Sequence, residues 1–190
     1  MSQSLRLTAS HGGLLVVDIQ EKLIRQIHDR DLVIANAIRL TQAAKALELP
    51  HWATEQYPKG LGPTIPSLAE LVPDRVAKMT FHACAGGILD QLREKRIHHV
   101  TLTGIEAHVC IAQTALELLD QGYRVQIPAD AVGSRSKFDA EVALRRLERA
   151  GAVVSTTEAI LFEWTETADR PQFKAISDLI KSFVAPQRVD

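Results

Sequence analysis

Leu14 to Val17 form an unbroken apolar run that ends in an acid, Asp18. A run of that length, bounded by Gly13 and a charge, predicts a strand buried on both faces. Further strands are predicted at Trp52 to Thr54, Arg75 to Met79, His98 to Gly104, Tyr123 to Pro128 and the opening of AVVSTTEAILFEW. Between them the apolar spacing turns helical. One helix starts at Asp29, with Asp29 or Asp31 as its cap and Val33, Ile34, Ala37, Ile38, Leu40, Ala44 and Leu47 on its apolar side. Ser67 to Leu71 reads as a helical turn, and Gly87 to Glu94 as a short helix. Val109 to Leu119 reads as a helix stopped by Gly122. Lys137 to Arg149 places Ala140, Val142, Ala143, Leu144 and Leu147 inward before Gly151. Another helix is capped at Thr156 or Thr157, and a last one covers residues 172 to 184. EQYPKGLGPTIP and DAVGSRS read as loops, the first rich in proline and glycine. Short apolar strands alternating with helices predict a three-layer α/β/α domain with a mostly parallel central sheet. Its active site belongs at the carboxyl ends of the strands.

Composition narrows the class. The chain has 190 residues, a length suited to one domain over residues 1–190, with a short N-terminal extension and a frayed APQRVD tail. A formal net charge of −1 and 5% aromatic residues argue against a nucleic-acid partner. MSQSLRLTASHGG has no apolar signal core, and no run reaches membrane-span length. Two cysteines make no disulfide framework, which points to a reducing, cytoplasmic setting.

Three reactive residues fall near the predicted carboxyl ends: Asp18, Lys78 and Cys110. Cys110 sits in GIEAHVC, where a strand hands over to a helix. A helix start and a nearby ammonium both stabilise thiolate, so the cysteine is expected to have a lowered pKa. Asp18 can accept the thiol proton and hold Lys78 charged. Singly, each residue is more ordinarily structural, so the combination carries the reading. There is no G-x-S-x-G elbow, no G-x-G-x-x-G after the first strand and no P-loop.

LLVVDIQEKL, VAKMTFHA and GIEAHVCIAQTALELLDQGYRVQIPADAVGSRS together resemble the isochorismatase-like cysteine hydrolases. The superfamily includes nicotinamidases and N-carbamoylsarcosine amidases. ATEQYPKGLGPTIPSL further resembles a branch of isochorismatase-domain proteins with no settled substrate. The resemblance covers nearly the whole domain and implies a Rossmann-like isochorismatase-type fold. It also implies a catalytic set of Asp18, Lys78 and Cys110, a cis peptide at Ile105–Glu106, and an oxyanion hole from the amides of Glu106 and Cys110. The expected activity is cleavage of a small amide or related acyl C–N bond through a thioester-type intermediate.

One departure matters. Nicotinamidases hold a divalent metal with an Asp and two His after the second strand, whereas this chain has TEQYPKGLG there, with Glu55 as the one strong ligand type. No metal and no cofactor are therefore expected. His82, Cys84, His108 and Cys110 are suitable ligand types, but a tetrahedral zinc site needs four convergent groups. Gln20, Tyr57, Leu61, Phe81 and Ile111 are candidate pocket residues for a small-molecule substrate. The C-terminal helix, with Phe173, Ile176, Leu179, Ile180 and Phe183, either joins subunits or covers the domain. The resemblance implies a homodimer or homotetramer. Two other functions stay open: an idle fold used for binding or assembly, and a vinyl-ether hydrolase, whose family members do not share the cysteine step.

Overall fold

A computed structural model describes residues 5–184; the expected APQRVD tail and the first four residues lie outside the described part. The strands are β1 (Gly12–Val17), β2 (His51–Gln56), β3 (Arg75–Lys78), β4 (His99–Ile105), β5 (Arg124–Pro128), β6 (Val132–Gly133) and β7 (Val153–Ser155). The helices are α1 (Arg30–Ala46), α2 (Pro58–Leu61), α3 (Pro66–Ala69), α4 (Ile88–Glu94), α5 (Ala112–Asp120), α6 (Lys137–Arg149), α7 (Thr157–Thr165) and α8 (Phe173–Lys181). Strands pair in the order β3-β2-β1-β4-β5-β7, with β6 added beside the end of β4. Every strand pairing is parallel. This is the three-layer α/β/α architecture that the apolar runs predict.

Side-chain alternation along β1 divides the core in two. Leu14 and Val16 join α1, α7 and α8 in one cluster through Leu40, Trp164 and Ile176. Leu15 and Val17 join α4, α5 and α6 in the other through Leu92, Leu118 and Leu147. A strand whose two faces are both covered has no polar face to show, which explains its continuous apolar sequence.

Several local expectations are corrected. Asp29 adopts φ 54° and makes no side-chain capping bond, so α1 begins without the expected Asp cap. Ser136 and Thr156 do cap, accepting from the amides of Asp139 and Ala159. Val142 is exposed, not inward. The supposed loop after Thr54 continues as strand to Gln56 and then forms α2. DAVGSRS contains β6, which pairs with Gly104 and Ile105. The α8 helix packs through buried Ile176 and partly buried Leu179 and Ile180 onto the α1 side of the core, so it covers the domain.

The connection order places a switch point between β1 and β4: the chain leaves β1 toward β2 on one side and enters β4 on the other. A crevice outside the carboxyl ends forms where crossovers diverge in this way. Gly104 allows the two strands to meet there. It has φ 124°, and a Cβ on it would lie 2.0 Å from the carbonyl oxygen of Val17.

Candidate active site

Asp18, Lys78 and Cys110 stand at the ends of β1, β3 and the segment after β4, and the fold brings them together. Asp18 is the first residue beyond β1. Its φ of 54° turns the chain away from the sheet, while its amide still donates to the Thr54 carbonyl at 3.1 Å. Aspartate tolerates this left-handed conformation better than bulkier residues do. The carboxylate is fully buried. Its Oδ1 accepts from Thr54 Oγ1 at 2.8 Å, and its Oδ2 accepts from Lys78 Nζ at 2.7 Å.

Lys78 closes β3 and is also buried. Beyond Asp18, its ammonium donates to Gln56 Oε1 at 2.8 Å and to the carbonyls of Phe81 and Thr80 at 3.1 and 3.2 Å. A buried ammonium is tolerable only when its hydrogens are all used and a counter-charge is near. Both conditions hold here.

Cys110 lies in a widened π-helical turn, Ala107–Ile111, that leads directly into α5. This turn begins earlier than the predicted helix and puts Cys110 inside it rather than at its mouth. The Ile105–Glu106 peptide is cis. Cys110 is 4% exposed, and the Asp18 carboxylate, the Lys78 ammonium and the Glu106 main chain all act on its thiol. Burial, then the Asp18 charge, push the thiol up to about 12, against an opposing pull from Lys78. The expected lowering is thus corrected. The ammonium is present, but desolvation and the Asp18 charge outweigh it, so the resting residue is a protonated thiol. Cys84 is pushed up to about 12 as well, first by burial and then by Glu117, and no carboxylate accepts its proton. Its sulfur faces the Thr114 carbonyl at 4.0 Å.

The remaining expected site residues divide into support and rim. Gln20 is fully buried. Its amide donates to the carbonyls of Gln56 and Gly62 and accepts from the Gln56 amide. It therefore ties the segment after β1 to β2 and the loop at Gly62. Ile111 has no exposure and packs into the core, so it offers no wall to a ligand as the turn stands. Tyr57 and Phe81 are 48% and 54% exposed, and Leu61 is half-buried near them in sequence. Met79, one residue beyond β3, is 70% exposed.

Glu106 and Glu55 both have structural partners. Glu106 Oε2 accepts from the Arg135 amide at 3.0 Å and from its Nε at 3.2 Å, anchoring the turn before Cys110 to the β6–α6 loop. Glu55 Oε1 accepts from Thr64 N and Oγ1, both at 2.8 Å, and faces Arg75 at 3.7 Å. His108 Nδ1 pairs with Ser134 Oγ at 2.9 Å, turned toward β6 rather than the thiol. Among the described residues, no group of three or more His, Cys, Asp or Glu side chains is disposed to hold a metal ion.

Thr54, Gln56 and Arg135 were missed from sequence. Thr54 and Gln56 are two apart on β2 and share a face, where they serve Asp18 and Lys78 in turn. The polar alternation inside HWATEQ was the available signal. Arg135 had no local signal, because its partner lies 29 positions away.

A parallel three-layer sheet with an acid, a lysine and a thiol gathered at its switch point defines the class of α/β proteins to which comparison then gives a family. The isochorismatase domain model matches residues 13–159, and the chain belongs to that family. Isochorismatase domain-containing protein 2 of Danio rerio is 42% identical over 92% of this chain and 89% of its own length. The Homo sapiens protein of that name is 39% identical over 93% and 86%. Among solved structures, one described as the MAR1 ribonuclease from Caenorhabditis elegans superposes with a TM-score of 0.91 at 38% identity, covering 96% of this chain and 95% of that one.

Proposed function

We propose that this protein is a cysteine-dependent hydrolase of small amides or related acyl C–N bonds. The observation that carries the reading is the fully buried Asp18 carboxylate, which holds the Lys78 ammonium at 2.7 Å and acts on the Cys110 thiol. Asp18 takes the thiol proton as the sulfur attacks the acyl carbon. The charge passes from carboxylate to thiolate beside Lys78, so the ammonium keeps a counter-charge throughout. The amides of Glu106 and Cys110 receive the oxyanion, a role in which preorganised donors count heavily. Asp18 then returns its proton to the leaving nitrogen, leaving a thioester. Water attacks the thioester, Asp18 takes its proton, and that proton returns to the sulfur as the acid departs. Covalent catalysis divides one difficult step into two.

With its pKa pushed up to about 12 the resting thiol is a poor nucleophile, so the cycle depends on transfer of its proton to Asp18 once a substrate is bound. Exposed Tyr57, Met79 and Phe81 follow β2 and β3 on the same sheet edge as Lys78, which favours a substrate with a hydrophobic part. The catalytic unit is a single domain, expected as a homodimer or homotetramer in the cytoplasm. Among the described residues, no helix is long and apolar enough to cross a membrane.

The test is a panel of small aliphatic and aromatic amides, followed by amine release and by intact mass of the quenched enzyme. Turnover with an acyl adduct on Cys110, both lost in Cys110→Ala, supports the proposal. Turnover that persists in folded Cys110→Ala overturns it.

A further inference from the structure

The end of the sheet opposite Asp18 carries a cleft of about 790 Å³ at the amino ends of β1, β4 and β5. The length of β4 separates the two ends by roughly 20 Å. Arginines and histidines from several segments line this cleft: Arg6, His11, Arg93, Arg96, His98 and Arg124. His99 lies at its base, and among the described lining residues there is no carboxylate.

The arrangement is built rather than scattered. His11 and His98 stack with ring centroids 4.8 Å apart and planes 12° from parallel. His11 Nδ1 meets the Arg96 carbonyl at 3.2 Å, and the His98 amide donates to the His11 carbonyl at 2.8 Å. The Arg124 guanidinium donates to the Leu5 carbonyl at 2.7 Å, which joins the N-terminal segment to the start of β5. His99 Nε2 meets the Thr8 carbonyl at 2.7 Å. Burial, most of all, holds the His99 ring below its ordinary pKa; the Thr8 bond opposes that, and Arg124, His98 and His11 add to it. Side chains from three segments thus act on one buried ring. Arg93 has an exposed carboxylate beside it, Asp90 at 3.3 Å, outside the lining.

We propose that this cleft binds a small, multiply charged anion bearing phosphate groups. Planar guanidinium groups match phosphate oxygens in pairs, and a concave setting lets several reach one ligand. The volume exceeds what a single orthophosphate needs. A long polyanion is disfavoured, because the whole chain carries a net charge of −1 and Glu94 and Asp120 are exposed at the ends of α4 and α5.

The experiment is calorimetric titration of the full chain with inorganic pyrophosphate at low salt, with sodium chloride as the ionic control. Saturable binding is expected, weakened about ten-fold or more in Arg93→Ser/Arg96→Ser and weakened again by added salt. His98→Gln serves as the second variant should the double variant fold poorly, with a loss of roughly three-fold expected. Circular dichroism checks both folds. Absence of saturable binding, or affinity unchanged in both folded variants, overturns the proposal. Tighter binding of a single-stranded oligoribonucleotide than of pyrophosphate, lost in the same variants, overturns the small-ligand assignment. Amide turnover is not a readout here, so the outcome is independent of the catalytic proposal.

Discussion

The Lys78 ammonium and the Asp18 carboxylate meet at 2.7 Å, in a place where neither side chain is more than 1% exposed. Such a pair is costly to bury and costlier to break, because the survivor is left charged and without its partner. Lys78→Met strands Asp18 together with the acceptors on Gln56, Thr80 and Phe81. We expect it to lower unfolding free energy by roughly 3–5 kcal/mol. Asp18→Asn/Lys78→Met removes both charges and should recover part of that loss without recovering turnover. Urea denaturation beside amide turnover checks this. A double variant no more stable than Lys78→Met would show that the pair is not what the fold loses.

Thiol labelling should move against intuition. Asp18 raises the Cys110 pKa through its charge and its hydrogen bond, and Lys78 lowers it. Removing the carboxylate charge therefore makes the thiol more acidic. Asp18→Asn should react faster with iodoacetamide at neutral pH than the parent does, while losing turnover. Lys78→Met should react more slowly. Rates followed by peptide mass across pH provide the check, and a slower Asp18→Asn would contradict the arrangement.

Cys84 supplies an internal comparison. It shares the raised pKa, but neither Asp18 nor Lys78 acts on it, so a substrate adduct is expected on Cys110 and not on Cys84. Both thiols also link folding to alkaline pH. A folded-state pKa of about 12 against an ordinary 9.0 means the protonated thiol is favoured in the fold. Its contribution is complete below about pH 9 and is lost as pH rises toward 12. Cys84→Ala should therefore flatten the loss of stability over that window. An alkaline unfolding profile parallel to the parent's would refute the link.

Gly104→Ala tests the seam between β1 and β4. The added methyl would meet the Val17 carbonyl at 2.0 Å, from a backbone with φ 124°. Main chain cannot yield there without parting the two strands that carry Asp18 and the Cys110 turn. A loss of about 3 kcal/mol or more is expected, together with impaired turnover. Denaturant midpoints would measure it, and a change under about 0.5 kcal/mol would show that the strands can separate at little cost.

Chelation should leave amide turnover unchanged. Glu55, the ligand type noted in the sequence, is engaged by Thr64 and Arg75, and the Asp18–Lys78 pair offers a route to the nucleophile that needs no Lewis acid. Turnover is to be compared before and after exhaustive chelation, with divalent ions restored singly. Loss followed by recovery with one ion would reverse the expectation.

What could be read in the sequence follows from the range of the forces involved. The β1 run and the apolar stripe of α1 announced themselves because burial on a sheet imposes a pattern on consecutive residues. Asp18, Lys78 and Cys110 could be noticed because each ends or follows such a pattern, and the fold class says where those ends meet. The Cys110 pKa was misjudged because helix position is a local signal, whereas desolvation and the Asp18 contact are set by packing. Arg135 at Glu106 and Gln20 at Gln56 could not be seen, since nothing in the neighbourhood of either residue marks a partner that folding alone supplies. β6 was hidden for a similar reason, being two residues long and defined only by its pairing with β4.

Lys78 grips the loop beyond β3 by the carbonyls of Thr80 and Phe81, not by any side chain of that loop. Met79 and Phe81 meanwhile are exposed to solvent. Main-chain carbonyls are the same whatever residues carry them, so the hold on the lysine is indifferent to the identity of the side chains outside. Replacing Met79 and Phe81 should then shift KM among amides of different shape and leave the iodoacetamide pH profile of Cys110 where it was. The seat of the lysine and the outer face of the loop are thus separable, one set by main chain and the other by side chains.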